Sequence, residues 1–139
     1  MRKFINWAFF YAILAMVSGV FYREFTKYHD FTGTTTLSAV HTHLFTLGMM
    51  MFLITALFIK QFPTMEAKKL KAFLLTYNIG LLSTVTMLTI RGITQVLNLS
   101  LTRAANSAIS GLAGLSHIIL AIGIILFFLT IKEETKEQQ

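Results

Sequence analysis

Three histidines, His41, His43 and His117, lie inside long stretches without any Asp, Glu, Lys or Arg. Two arginines, Arg23 and Arg91, stand at the edges of such stretches. The chain has no cysteine. Disulfides, zinc–thiolate sites, iron–sulfur clusters and thiolate-ligated haem are therefore excluded, and imidazole, which suits haem iron, copper and zinc, is the ligand these histidines offer. An ionisable group at membrane depth is costly and marks function by default. The chemistry these residues point to is axial ligation of a b-type haem, with arginines neutralising the propionates. The alternative is a divalent copper or zinc site. The fourth histidine, His29, falls in a polar turn and is read as solvated.

The stretches that hold these residues are long. Charged residues are absent between Lys3 and Arg23, between Asp30 and Lys60, between Lys71 and Arg91, and between Arg103 and Lys132. Each gap approaches or exceeds the roughly 20 residues a helix needs to cross a bilayer. Only 13% of the 139 residues are charged and 55% are hydrophobic. Mean hydropathy is +0.66. An ordinary soluble domain carries about 25% charged residues. The expected fold is therefore all-α: an integral membrane four-helix bundle forming a single domain over 1–139, with helices at about 3–25, 35–61, 66–98 and 104–132. The first apolar run exceeds a signal-peptide core and is read as a retained span. The second connection holds the only proline, Pro63, and the charged segment from Lys132 to Gln139 is expected to fray.

The positive-inside rule orients the bundle. Arg2, Lys3, Lys60, Lys68, Lys69, Lys71, Lys132 and Lys136 collect on one side; Arg23, Lys27, Arg91 and Arg103 collect on the other. Both termini are expected to be cytoplasmic, in a multi-pass protein of the cytoplasmic membrane. The net charge of +6 is spread around the ends of spans, so nucleic acid is not an expected partner. The expected partner is the lipid bilayer.

In this orientation His41, His43, His117, Arg91 and Gln95 all fall in the outward half of the membrane. At 100° per residue, His41 shares a face with Ser38, Phe45, Gly48, Phe52 and Thr55, whereas His117 shares one with Asn106, Ser110, Ala113, Gly114 and Ala121. The third helix carries Tyr77, Gly80, Thr84, Arg91, Gln95 and Asn98; the first carries Trp7, Tyr11, Ser18 and Tyr22. Small and polar residues mark packed faces of membrane helices, so these stripes are expected to meet in the bundle core. His43 points about 200° away from His41, so the two suit different pockets. Helical rise puts His117 deeper than His43 by roughly 6 Å and deeper than His41 by roughly 9 Å. A shared haem or metal between the second and fourth helices is feasible. Depth favours His43 as the partner of His117, and face composition favours His41. Arg91 either snorkels at a helix end or serves as counter-charge for an anion such as a propionate or Glu24. Each histidine also has a plainer reading, as a hydrogen-bonding link between helices in a non-catalytic scaffold.

The run Val40-His41-Thr42-His43-Leu44-Phe45-Thr46-Leu47-Gly48-Met49 resembles the His-x-His helix of subunit I of haem–copper oxidases. In that family the first histidine ligates the high-spin haem and the second the low-spin haem. The resemblance implies that His41 and His43 serve separate cofactors. A homotrimer of this chain would assemble as many spans as that subunit contains, with sites within and between protomers. Over most of its length the chain is also similar to a family of small, uncharacterised four-span bacterial membrane proteins, mainly Gram-positive. The likeness is carried by Gly19-Val20-Phe21-Tyr22-Arg23-Glu24-Phe25, the His41/His43 segment, Arg91-Gly92 and the Gly114 to His117 segment. The function expected is haem b binding for electron transfer or for capture of a diatomic gas. The protein would be a redox component without its own substrate turnover, and its redox partner is unspecified.

Overall fold

The computed structural model describes residues 1–62 and 67–137, so Pro63, Gln138 and Gln139 lie outside the described residues. The described residues form four long helices: α1 (Arg2–Tyr28), α2 (Leu37–Gln61), α3 (Ala67–Val96) and α4 (Arg103–Glu137). All four are long and apolar enough to cross a membrane. The expected ends hold to within a few residues except at the C-terminal side of α4. There the helix continues to Glu137 instead of fraying from Lys132, with Lys69 of α3 donating to Glu133 across the helix pair.

Both turns at one end of the bundle, its mouth, start in the same way. Asp30 and Asn98 adopt left-handed φ values of 48° and 49°. Each follows a helix whose last carbonyls are taken up by Schellman-type bonds: Asp30 N to Lys27 O with Phe31 N to Thr26 O, and Asn98 N to Gln95 O with Leu99 N to Thr94 O. Asn and Asp tolerate that region better than other non-glycine residues.

Adjacent helices run antiparallel. Tyr11 of α1 packs against Gly48 of α2, and Gly19 against His41. Tyr77 of α3 donates its hydroxyl to the Leu47 carbonyl (2.8 Å), while Thr36 at the start of α2 donates to the Leu88 carbonyl (2.8 Å). Gly80 of α3 meets the backbone of Leu120 in α4 so closely that an added Cβ would stand 2.5 Å from Leu120 N. Glycine is what permits this helix–helix approach. Thr84 donates to Ser116 (3.2 Å) one turn further along.

The core lies between α1, α2 and α3 towards the end that carries the termini. Phe52 stacks on Tyr11 (5.5 Å between centroids, 9° between planes) and meets Phe4, Phe73 and Tyr77. Through this apolar packing runs one polar link, from the Tyr11 hydroxyl to Asn78 Oδ1, and Asn78 donates in turn to the Leu74 carbonyl (2.7 Å). Without water, each polar group at this depth needs such a partner.

Two features depart from the regular bundle read from sequence. First, α2 contains a π-helical turn over Leu44–Met50. Such turns occur singly within α-helices and often at functional sites. It begins immediately after His43, so Leu37–His43 remains a regular α-helix and the angle between His41 and His43 stands. Second, the stripe of α4 that carries Asn106, Ser110, Gly114, His117 and Ala121 does not enter a core; those residues are exposed. The line Ser116, Leu120, Gly123 and Phe127 packs inward instead, because the close approach at Gly80 and the Thr84–Ser116 bond set the rotation of α4.

Candidate functional site

The flanks of each helix follow from its contacts. α4 lies against α3 and reaches α2 near the base, where Phe58 and Phe127 meet edge to face at 5.9 Å. One side of the α3–α4 pair is lined by Leu82, Thr86, Leu112 and Leu115. The other side of α4, about 180° around from Leu112 and Leu115, carries Ala113 and His117 and faces α2. On α2, His41 faces α1: its ring lies beside Gly19 and nearly parallel to Tyr22 at 6.4 Å. His43 is on the opposite flank, away from α1 and towards α4. Helical geometry thus turns His43 and His117 towards the side on which α2 and α4 both adjoin α3.

They also stand at nearly the same level. Interpolating along α3 between the Tyr77–Leu47 and Leu88–Thr36 bonds places Thr84 opposite residues 40–42 of α2. The Thr84–Ser116 bond places His117 in the same layer. The offset between His43 and His117 is then roughly 3 Å, or two residues of helical rise. His43 is the deeper of the two and His41 is level with His117, the reverse of the order estimated from sequence, which counted each helix from its own predicted end.

Each histidine has a defined hydrogen-bonding state. His43 Nδ1 lies 2.8 Å from the Ala39 carbonyl, and His117 Nδ1 lies 2.7 Å from the Ala113 carbonyl. A carbonyl only accepts, so Nδ1 donates in both bonds, and in the neutral ring the lone pair then belongs to Nε2. An outward Nε2 lone pair on a ring anchored through Nδ1–H is the arrangement that metal-ligating histidines share. His41 differs: its Nδ1 is buried and has no hydrogen-bond partner.

Arg91 projects from α3 onto the same stripe of α4. Its guanidinium donates to Asn106 Oδ1, to the Asn106 carbonyl (3.4 Å) and to Ser110 Oγ (2.7 Å). Ser110 and His117 share a face two turns apart, about 10 Å along the axis. Between them an added Cβ at Gly114 would meet nothing within 4 Å, so this part of the α4 surface is open and flat.

Arg23 is not brought to this place. Its side chain is 80% exposed on α1 and lies 3.7 Å from Glu24, which is therefore not the counter-charge of Arg91. His29 is exposed against Phe25 and Tyr28, as its turn position implies. Among the described residues no three of His, Asp and Glu converge on a point that could hold a metal ion. The sequence stripes marked Tyr11, Tyr77, Thr84 and Gly80 as interior residues. The Tyr77–Leu47 bond could not be anticipated, because it depends on the π turn.

No curated protein and no solved structure matches the chain. A family model described as a protein of unknown function, DUF2871, matches residues 1–134. Nearly the whole length lies within that match, including three of the four apolar helices entire and α4 up to Glu134, and the chain belongs to the DUF2871 family.

Proposed function

We propose that this protein is a small membrane b-type haem protein whose iron is ligated by His117 and His43 in the groove between α2 and α4. The observation that carries the reading is the pair of rings at one level, each with Nδ1 tied to its own helix and Nε2 left as a lone pair. A haem needs only one or two such ligands, which suits a groove where no three ligands converge. The open surface at Gly114 admits a flat macrocycle, and Arg91 lies at the distance along α4 where a propionate would be neutralised. When bound, the group would supply one-electron or diatomic-gas chemistry. Two histidine ligands favour electron transfer, and a single ligand leaves a position for gas. Arg23 is retained only as a peripheral contributor to propionate charge, given its exposure.

Two alternatives have less support. Copper or zinc prefers three or four ligands, which one chain does not bring together among its described residues. In a scaffold the histidines would link helices, but His43 and His117 bond carbonyls of their own helices. Both termini are assigned to the cytoplasm by the distribution of Lys and Arg. A homo-oligomer, with the trimer as the leading form, is proposed because three copies would assemble as many spans as the oxidase subunit that the His41/His43 helix resembles. A strictly monomeric haem-loaded protein would exclude it.

The test is the visible spectrum of protein purified from haem-replete cells, oxidised and then reduced with dithionite. A Soret band with sharp reduced α and β bands is expected. Colourless protein overturns the haem reading, and metal analysis then decides between the alternatives.

A further inference from the structure

At the mouth of the bundle, between the two turns, lies a pocket of about 620 Å³. Its polar lining includes Thr34, Arg91, Gln95, Asn98, Ser100 and Asn106, and no carboxylate. The direction of the amides can be read from their partners. Gln95 Oε1 accepts from the Thr36 backbone N–H (2.8 Å), and Asn106 Oδ1 accepts from Arg91. With both carbonyl ends committed, the ends left for the pocket are NH₂ donors. Among the described residues Arg91 has only neutral hydrogen-bond partners. A half-buried guanidinium ringed by unspent donors and no acid favours an oxyanion. The volume falls in the range of small-molecule sites, about 300–1,000 Å³, and exceeds what a bare ion fills. Phe31, Leu99 and Leu101 add an apolar wall.

We infer that this pocket binds a phosphate ester, presented either as a phospholipid headgroup or as a free phosphate monoester, with Arg91 and the Gln95, Asn98 and Asn106 amides as donors. The site shares Arg91 with the proposed haem groove, where a propionate would compete for the same guanidinium; its other donors belong to the mouth alone.

The experiment uses the full-length chain, purified in a phosphate-free maltoside detergent. Glycerol phosphate is titrated calorimetrically, and phosphatidylglycerol adducts are followed by native mass spectrometry. Asn98→Asp is the main variant: aspartate tolerates the left-handed backbone there, and the new charge faces the donors while the Arg91 contacts with α4 are untouched. Binding is expected to weaken about tenfold or more, as for a like charge placed in an anion site. Ser100→Asp is expected to act in the same way and guards against a folding defect in the first variant. His117→Ala, which would empty the haem groove, should bind the phosphate ester at least as tightly as the unaltered protein, because no propionate then competes for Arg91; this separates failure of this site from failure of the haem reading. Binding of glycerol phosphate assigns a free ligand, and binding of the lipid alone assigns a headgroup. If neither binds, or if both aspartate variants bind undiminished, the inference is overturned.

Discussion

His43 on α2 and His117 on α4 share one arrangement: each anchors Nδ1 to the carbonyl four residues behind it, at 2.8 Å and 2.7 Å. Regular helical geometry makes the carbonyl at i−4 available to the ring, and the result is that both Nε2 atoms point away from the backbone. In this His43 differs from His41, whose ring is turned towards Tyr22 of α1 and whose Nδ1 has no hydrogen-bond partner.

Ligand assignment gives the first prediction. His117→Gly and His43→Gly should each abolish the low-spin spectrum, and added imidazole should restore it by occupying the vacated position. His41→Ala should keep the low-spin bands, because that ring faces the other flank. Visible spectra of the three reduced proteins check this, and equal loss in all three would refute the assignment.

The π turn rests on close packing at Gly48. A Cβ there would stand 2.6 Å from Tyr11 Cγ, in the centre of the aromatic cluster. Gly48→Ala should destabilise the protein by about 1–3 kcal/mol, the usual range for overpacking a core. Denaturant titration in mixed micelles measures this. Because the same turn aims Leu47 O at Tyr77, Tyr77→Phe should reduce stability in the same assay.

Tyr11 and Asn78 form a buried pair bridging α1 and α3. Removing one partner leaves the other unsatisfied away from water. Tyr11→Phe should cost about 1–3 kcal/mol. A double-mutant cycle with Asn78→Leu should show coupling of about 0.5–2 kcal/mol, in keeping with membrane-embedded hydrogen bonds. Additive losses would mean that the bond contributes nothing beyond its separate side chains.

The absence of native cysteine makes topology directly measurable. Thr32→Cys, in the first turn at the mouth, should react in intact cells with a membrane-impermeant maleimide. Lys3→Cys, at the opposite end, should react only after the membrane is opened. The reverse pattern would invert the assigned orientation.

Charge spacing alone was enough to locate four helices and most of their ends, because burying a charged residue in hydrocarbon is costly and the cost is read one residue at a time. The layer of polar residues was legible for the same reason, and so was the opposition of His41 and His43, which depends only on the angle between residues two apart. The rotation of α4 could not be read that way. Its small and polar stripe suggested a buried face, yet burial was decided by where Gly80 lets the backbones touch and by the Thr84–Ser116 bond, both contacts with another helix. The pocket around Arg91 likewise arises between segments distant in sequence, and the packing of Gly48 against Tyr11 is a contact of that kind too. Periodicity specifies a face relative to its own axis; only the packing of one axis against another determines what that face meets.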